Sequence, residues 1–354
     1  MWAMIVKEFR QVRRDRRTLA MMIVLPILLL VVLGYAASFD VPTITVAAAG
    51  PQASSVSGLL RAPFSVVSQE PDQGLDWAQN QLRDGRANVA VVTGGSRPEV
   101  LIDGSQLFAA RATLAALAKL ENTVSPTGTT ATAAVASPEV TVLYNPDLNT
   151  SDIMIPGLAG VVLVFIGTII TSLGVVRERQ SGTLEQLAVM PLRPRDVFLG
   201  KIVPYFAVAA VDLAIVLAVG IAVFGVPFRG SPAVFGLGAL LFLFVTLGIG
   251  VLISSVSQNQ GQAIQLAVMT MLPQVLLSGL IFPLSSIAIG VRWIAYLLPL
   301  TYFNEISKGV MLRAEPLGPL WLPFTCLAVL GAVVVTAATL RFRRFLAPSR
   351  VRSA

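Results

Sequence analysis

Uncharged apolar stretches recur along this chain at lengths suited to membrane-crossing helices. The first runs from Thr18 to Phe39 and the second from Ile153 to Val176. A third covers roughly Ile202–Val226 and is interrupted by Asp212. Gly230 to Val291 carries no charge, but a polar turn, Ser254–Gln262, divides it into a fourth helix at about 232–253 and a fifth at about 262–283. Pro316 to Leu340 holds the sixth. A helix rises about 1.5 Å per residue, so roughly 20 apolar residues cross a hydrocarbon core of about 30 Å.

Two segments show other patterns. In residues 1–17, Trp2, Ile5, Val6, Phe9 and Val12 recur at helical spacing. Arg10, Arg13, Arg14 and Arg17 fall on another face, which predicts an amphipathic helix lying on the membrane surface. The rival reading is a cleaved signal peptide ending near Ala36-Ala37-Ser38, but the long basic lead and long apolar run favour a retained anchor. Residues 40–151 alternate short β-rich runs (Thr43–Ala48, Asn88–Val92, Glu99–Ile102, Glu139–Leu143) with helical ones (Gly74–Leu82, Leu107–Leu120). That alternation predicts a small α/β domain, with Ser125–Ser137 as a loose Thr/Ala/Ser/Pro linker. The expected fold is an α-helical membrane protein with six transmembrane helices, an N-terminal interface helix and an inserted α/β extracytoplasmic domain. Its parts are 1–17, the first span 18–39, the domain 40–151, a five-helix region 152–340 containing a loop at 177–201, and a basic tail 341–354.

Charge sets the sidedness. The chain has 354 residues, 55% of them hydrophobic and 13% charged, with a net charge of +7. Its mean hydropathy is +0.76 and its pI about 10.1. Soluble domains carry about a quarter charged residues, so a large soluble protein is set aside. The basic residues crowd into the first 17 positions, the 177–201 loop and the tail, while acids outnumber bases in 40–151. This is the positive-inside pattern, and it argues against nucleic acid as the partner. Both termini are expected in the cytoplasm and the α/β domain outside. Trp293, Tyr296, Tyr302 and Trp321 fall near the expected outer ends of the last helices, where aromatic rings favour the interface.

Chemistry is sparse. The chain has no histidine and one cysteine, Cys326, which excludes a histidine-based triad, an internal disulfide and a cysteine metal site. No Gly-x-x-x-x-Gly-Lys-Ser/Thr segment occurs, so the chain lacks a phosphate loop of its own. No internal repeat of the kind found in many secondary transporters is evident. Asp212 is an acid inside an apolar span. It reads either as a substrate or proton site or as a structural contact between helices, and the second is the commoner case. Glu305, Lys308 and Arg313 either rim an exit path or solvate a surface or re-entrant helix, with the second favoured. Ser254, Ser255, Gln258, Asn259, Gln260 and Gln262 form either a contact with a soluble partner or a plain polar hairpin. Gly157, Gly160, Gly248 and Gly250 allow close helix approach.

The loop after the second helix carries the most information: Arg177-Glu178-Arg179-Gln180-Ser181-Gly182-Thr183-Leu184-Glu185-Gln186-Leu187-Ala188-Val189-Met190-Pro191. Gly182 permits a turn, Thr183–Met190 can form a short helix, and Pro191 stops it. Physics alone leaves open whether that helix docks on a soluble partner or is a solvated connector.

The segment resembles the signature loop of type-2 ABC transporter permeases, the drug and polysaccharide exporter class. The matching residues are Arg177, Glu178, Arg179, Gly182, Thr183, Leu184, Glu185, Leu187 and Pro191, with Gly200-Lys201 after them. Lys7-Glu8-Phe9 and Arg14-Asp15 resemble that family's entry helix, and Tyr144-Asn145-Pro146 and Pro156-Gly157 its approach to the second span. Ser278-Gly279-x-x-Phe282-Pro283 and Leu298-Pro299-Leu300-Thr301-Tyr302 resemble the outer end of the fifth helix and the stretch beyond it. One departure is Ser285-Ser286-Ile287, where many relatives carry Met-Pro. The resemblance implies that Arg177–Arg179, Gly182–Leu187 (Gln186 included) and Pro191 couple to a separate nucleotide-binding subunit. It also implies Lys7, Glu8, Arg14 and Asp15 on the interface helix, and Ser278, Gly279 and Phe282 at the outer end of the fifth helix; these three and Asp212 are the candidate residues of a transport pathway. Two ATPase copies holding ATP and Mg, a second permease, membrane lipids and an amphipathic or hydrophobic substrate complete the expected assembly, in a bacterial inner membrane. This chain would bind no cofactor and catalyse nothing by itself. An ion-gradient-driven transporter and a non-transporting scaffold are the other classes.

Overall fold

The computed structural model describes residues 43–95, 97–124, 138–180 and 194–346. The expected interface helix with Lys7, Glu8, Arg14 and Asp15, the first span 18–39, the 125–137 linker, the segment Gly182–Pro191 and the end of the tail lie outside the described residues.

Residues 44–143 hold a five-stranded sheet with helices on both faces. Its strands are β1 (Ile44–Ala49), β2 (Phe64–Glu70), β3 (Val89–Val92), β4 (Glu99–Asp103) and β5 (Glu139–Leu143), in the order β2-β1-β3-β4-β5. All neighbours are parallel except β3 and β4, which pair antiparallel with Val89 opposite Ile102. Alternation sorts the side chains between two faces. Ile44, Val46, Val89, Val100 and Ile102 form one core with Ala110 of α3 (Leu107–Val124). Ala47, Ala90 and Leu101 form the other with Ala78 and Leu82 of α2 (Leu75–Arg83). A short helix, α1 (Ala53–Leu59), packs beside β1 and β2. The sequence reading omits α1 and β2 because both are polar and mostly exposed. β2 is an edge strand reading Phe-Ser-Val-Val-Ser-Gln-Glu, and α1 is serine-rich.

Among the described residues, four helical stretches are long and apolar enough to cross a membrane. The first is one rod, Thr150–Gln180. It comprises α4 (Thr150–Val164), a π-helical segment (Phe165–Ile170) and α5 (Thr171–Gln180). The others are α6 (Pro194–Phe224), α7 (Pro232–Val256) and α11 (Trp321–Leu346). In α7, 61% of the apolar window is buried, against 17% in α6 and 22% in α11, so α7 is the centre of the bundle. It packs on α11, the π segment, α5 and α10 (Pro299–Arg313). Phe242 of α7 stacks on Phe303 of α10 with ring centroids 4.5 Å apart.

The expected fifth span is shorter than the sequence reading has it. Helix α8 covers Gln260–Leu277, and its polar residues keep it out of the apolar set. It stops because Ser278 leaves the helix and Gly279 takes a φ of +78°, a C-terminal glycine turn. The chain then folds through Leu284–Ser286 and a short helix, α9 (Ile289–Ala295), before entering α10.

Candidate functional site at the junction of sheet and bundle

The sheet meets the helical bundle through the last residue of β4, the start of α3, the 144–149 connection, the start of α4 and the end of α10. Leu107, Leu148, Ile153 and Leu312 pack into one small apolar cluster there. Two backbone conformations aim the connection. Tyr144 and Leu148 have φ values of 69° and 49°. Asn145 stabilises the reversal by accepting from the Asn149 N–H at 2.9 Å and donating from Nδ2 to the Asn149 carbonyl at 3.0 Å. A side chain on Gly104 would collide with the Asn145 and Leu143 carbonyls, so the strand end and the connection touch through bare backbone.

Arg313 lies at the centre of this junction with 5% exposure. Its Nη2 donates to Glu315 Oε2 at 2.7 Å, and its Nη1 lies 3.8 Å from Asp103 Oδ2 and 3.3 Å from Ser105 Oγ. Asp103 also accepts from the Ser105 N–H at 2.9 Å. Burial pushes the Asp103 carboxyl above its usual range, and the Arg313 guanidinium pulls it back. Glu315 is raised by the same cause and opposed by the same partner. A buried guanidinium needs such paired acceptors, since an isolated buried charge is costly. The expectation that Lys308 and Arg313 solvate a surface helix is therefore corrected: both are buried, and only Glu305 of that trio is exposed. The missing information was Asp103, far away in sequence, which the sheet carries to the end of α10.

One turn earlier, α10 presents Asn304 and Lys308 to the end of α8. Asn304 Nδ2 donates to the Ser278 carbonyl at 3.3 Å, and Lys308 Nζ donates to the Gly279 carbonyl at 3.2 Å. Ser307 donates to the Pro156 carbonyl of α4 at 3.1 Å. Close approach needs Gly157, where a Cβ would strike Leu280, and Gly160, where it would strike Leu300 and Phe303. Thus Ser278 and Gly279 come together with Asn304 and Lys308, and sequence reasoning did not join these two pairs. The i, i+4 spacing of Asn304 and Lys308 was the available signal. Phe282 is half-buried in the next turn. Asp212 does not join the group. It is half-buried on α6, next to the exposed Val208, Val211 and Ile215, and no hydrogen bond or ion pair to it is seen among the described residues.

At the other end of the rod, Arg177, Glu178 and Arg179 occupy the last turn of α5, with Arg177 exposed. Gln260 Nε2 donates to Gln180 Oε1 at 3.0 Å, joining the ends of α5 and α8. Asn259 caps α8 by accepting from the Gln262 N–H at 2.9 Å, and Gln262 accepts from the Gln258 N–H. These polar side chains thus shape the hairpin itself. Midway, a Cβ on Gly250 would lie against the Gly167 carbonyl and one on Gly167 against Thr246, so α7 and the π segment touch closely.

Comparison with known proteins covers most of the chain. Residues 16–340 match the family model described as ABC-2 family transporter protein. The chain is 36% identical over 201 residues to the probable multidrug ABC transporter permease YbhR of Escherichia coli K12, covering 57% of this chain and 55% of that protein. It is 29% identical over 341 residues to the probable multidrug ABC transporter permease YbhS of the same organism, covering 88% of each. With the inner membrane transport permease YhhJ of Escherichia coli K12 it shares 31% identity over 214 residues, 59% of this chain and 56% of that one. The chain therefore spans just over half the length of YbhR and YhhJ and most of YbhS.

Proposed function

Because this chain belongs to the ABC-2 family of transporter proteins, a family of membrane-embedded permeases, we propose that it is the transmembrane subunit of an ATP-driven exporter. In this reading 18–39 and α8 complete six spans, both termini are cytoplasmic and the sheet domain is extracytoplasmic. Two permeases pair with two ATPase subunits, which hold ATP and Mg, in an inner membrane. The cargo is an amphipathic or hydrophobic small molecule, in keeping with the multidrug designation of YbhR and YbhS.

The observation that carries the proposal is the continuous rod Thr150–Gln180. One end begins at the sheet junction. The other ends in Arg177-Glu178-Arg179, where the segment resembling the coupling loop starts. A push on Gly182–Leu187 has a direct mechanical route along this rod. ATP can act only through contacts that differ between two states, and the loop is where such contacts belong.

The test is reconstitution with the co-purifying ATPase. Glu185→Arg and Gly182→Pro are expected to leave membrane insertion intact and to abolish substrate-stimulated ATP hydrolysis. Undiminished stimulation in both variants, or repeated purification with no phosphate-loop ATPase attached, would overturn the reading.

A further inference from the structure

Helix α9 has two unlike faces. Val291, Ile294 and Ala295 pack with Leu277, the last residue of α8, and with Ile287 in a small core of their own. On the other face Ile289 is 85% exposed and Trp293 60%. Tyr296 and Leu297, just past the helix end, continue that row and are at least half exposed. The spacing i, i+4, i+7, i+8 puts all four on one stripe. The stripe needs no polar partner. Trp293 Nε1 donates to the Gly290 carbonyl at 2.9 Å, and Tyr302 Oη donates to the Tyr296 carbonyl at 2.6 Å. Arg292, the one charged residue of α9, turns away. Its Nη2 donates to the Ser285 carbonyl at 2.6 Å and to the Ile287 carbonyl at 2.9 Å, and its Nε to the Ile287 carbonyl at 3.1 Å.

An exposed apolar stripe marks an interaction surface, and its surroundings say what covers it. Tyr302, bonded to the Tyr296 carbonyl, also shares a side-chain hydrogen bond with Cys326 of α11. Leu322, Cys326, Val329 and Val333 fall on one face of α11, and the three aliphatic residues there are exposed. α11 is long and apolar enough to cross a membrane, so that face meets acyl chains. The stripe of α9 is thus continuous with a lipid-facing surface. Trp and Tyr rings favour the boundary between headgroups and acyl chains, and Trp321 at the start of α11 marks the same level. We infer that the stripe of α9 is seated in the bilayer leaflet nearer the sheet, at that boundary, and that this lipid contact anchors the 278–288 turn. The anchoring runs through Arg292 and the core under α9. It bears on the Ser278 and Gly279 carbonyls that accept from Asn304 and Lys308. Because backbone carbonyls already occupy the Arg292 guanidinium, the charge of the headgroup does not matter. The inference rests on the chain being a membrane-embedded permease and not on the exporter reading.

The experiment is fluorescence quenching of the full-length permease in phosphatidylcholine vesicles. Trp2→Phe, Trp77→Phe and Trp321→Phe together leave Trp293 alone among the four tryptophans. Its emission should fall more with lipid brominated near the glycerol end of the acyl chain than with lipid brominated near the chain's tip. Acrylamide in the water should quench it little. A companion variant that keeps only Trp77, in the sheet domain, should respond to neither bromolipid. Replacing part of the phosphatidylcholine by phosphatidylglycerol should change nothing. Ile289→Asp should reverse the pattern, with less quenching by bromolipid and more by acrylamide, and should speed hydrogen exchange across 278–288. A nitroxide on Ile289→Cys in a Cys326→Ser background gives the same depth with every tryptophan kept, so a triple variant that misfolds does not end the test. That label should meet dissolved oxygen more, and a water-soluble nickel chelate less, than the same label on Val67→Cys, an exposed position on β2. Quenching of Trp293 by acrylamide and by neither bromolipid would overturn the inference in favour of an aqueous surface. Silence to all three would overturn it in favour of a protein cover, a second copy or another partner. A requirement for phosphatidylglycerol would overturn the assignment of Arg292, and unchanged exchange in Ile289→Asp would overturn the anchoring of the turn. Flotation of the protein with its vesicles tests the membrane reading separately, and loss of ATPase coupling bears only on the exporter reading.

Discussion

Asp103 arrives from the sheet and Glu315 from the chain just after α10, and both meet the guanidinium of Arg313. Removing that guanidinium leaves buried carboxylates without a partner, and breaking a buried pair in this way costs roughly 3–5 kcal/mol. Arg313→Ala is therefore expected to lower the melting temperature strongly in a fluorescence unfolding scan, with Arg313→Lys intermediate because one ammonium replaces a two-pronged donor. pH adds a signed test. Burial raises Asp103 from 3.8 and Glu315 from 4.5, so above those values the folded state holds more protons than the unfolded one. Stability from these groups is then fully present below the ordinary carboxylate values and falls as pH rises through the raised ones. Melting scans at increasing pH from about 4 upward should show that decline. Asp103→Asn should flatten it, and an unchanged slope would refute the assignment.

At the scale of elements, the rod and α7 depend on glycine contacts that no side chain can share. Gly250→Ala places a methyl against the Gly167 carbonyl and must separate α7 from the π segment, so a clear loss of stability is expected. Gly236→Ala, in the same helix, meets nothing within 4 Å and should be neutral or stabilising by up to about 1 kcal/mol. Equal melting shifts for the two would show that the close packing is not what matters. The π segment belongs to the same contact. Thr171 Oγ1 donates to the Ile166 carbonyl, five residues back, and π segments inside α-helices often mark functional positions. The sequence reading places an uncharged span over this region but shows no sign of the π register, because one extra residue in a turn leaves the apolar pattern almost unchanged.

On the scale of the whole molecule, the described residues join sheet and bundle around Arg313 and the 144–149 connection, and the rod leads away from there toward the segment that resembles a coupling loop. If the rod transmits motion, weakening its far contact should uncouple the ends without unfolding either. Gln260→Leu removes the hydrogen bond to Gln180 and is expected to leave folding stability within about 0.5 kcal/mol of wild type, as for most exposed substitutions. It should nevertheless reduce stimulated ATPase in the reconstituted complex. Full stimulation would show that this contact takes no part in coupling.

Much of this architecture is written in the order of residues. Alternation marks β1, β3, β4 and β5, and unbroken apolar runs mark the long helices, whereas the end of α8 at Gly279 falls inside the run read as the fifth span. Alternation and apolar runs are local effects of backbone geometry and side-chain hydrophobicity, so they can be read one window at a time. The motif at Arg177–Pro191 is legible for the same reason. The tertiary structure alone decided that Lys308 and Arg313 are buried rather than solvated and that Asp103 meets Arg313. Burial and charge pairing depend on which distant segments come together, and no local pattern records that.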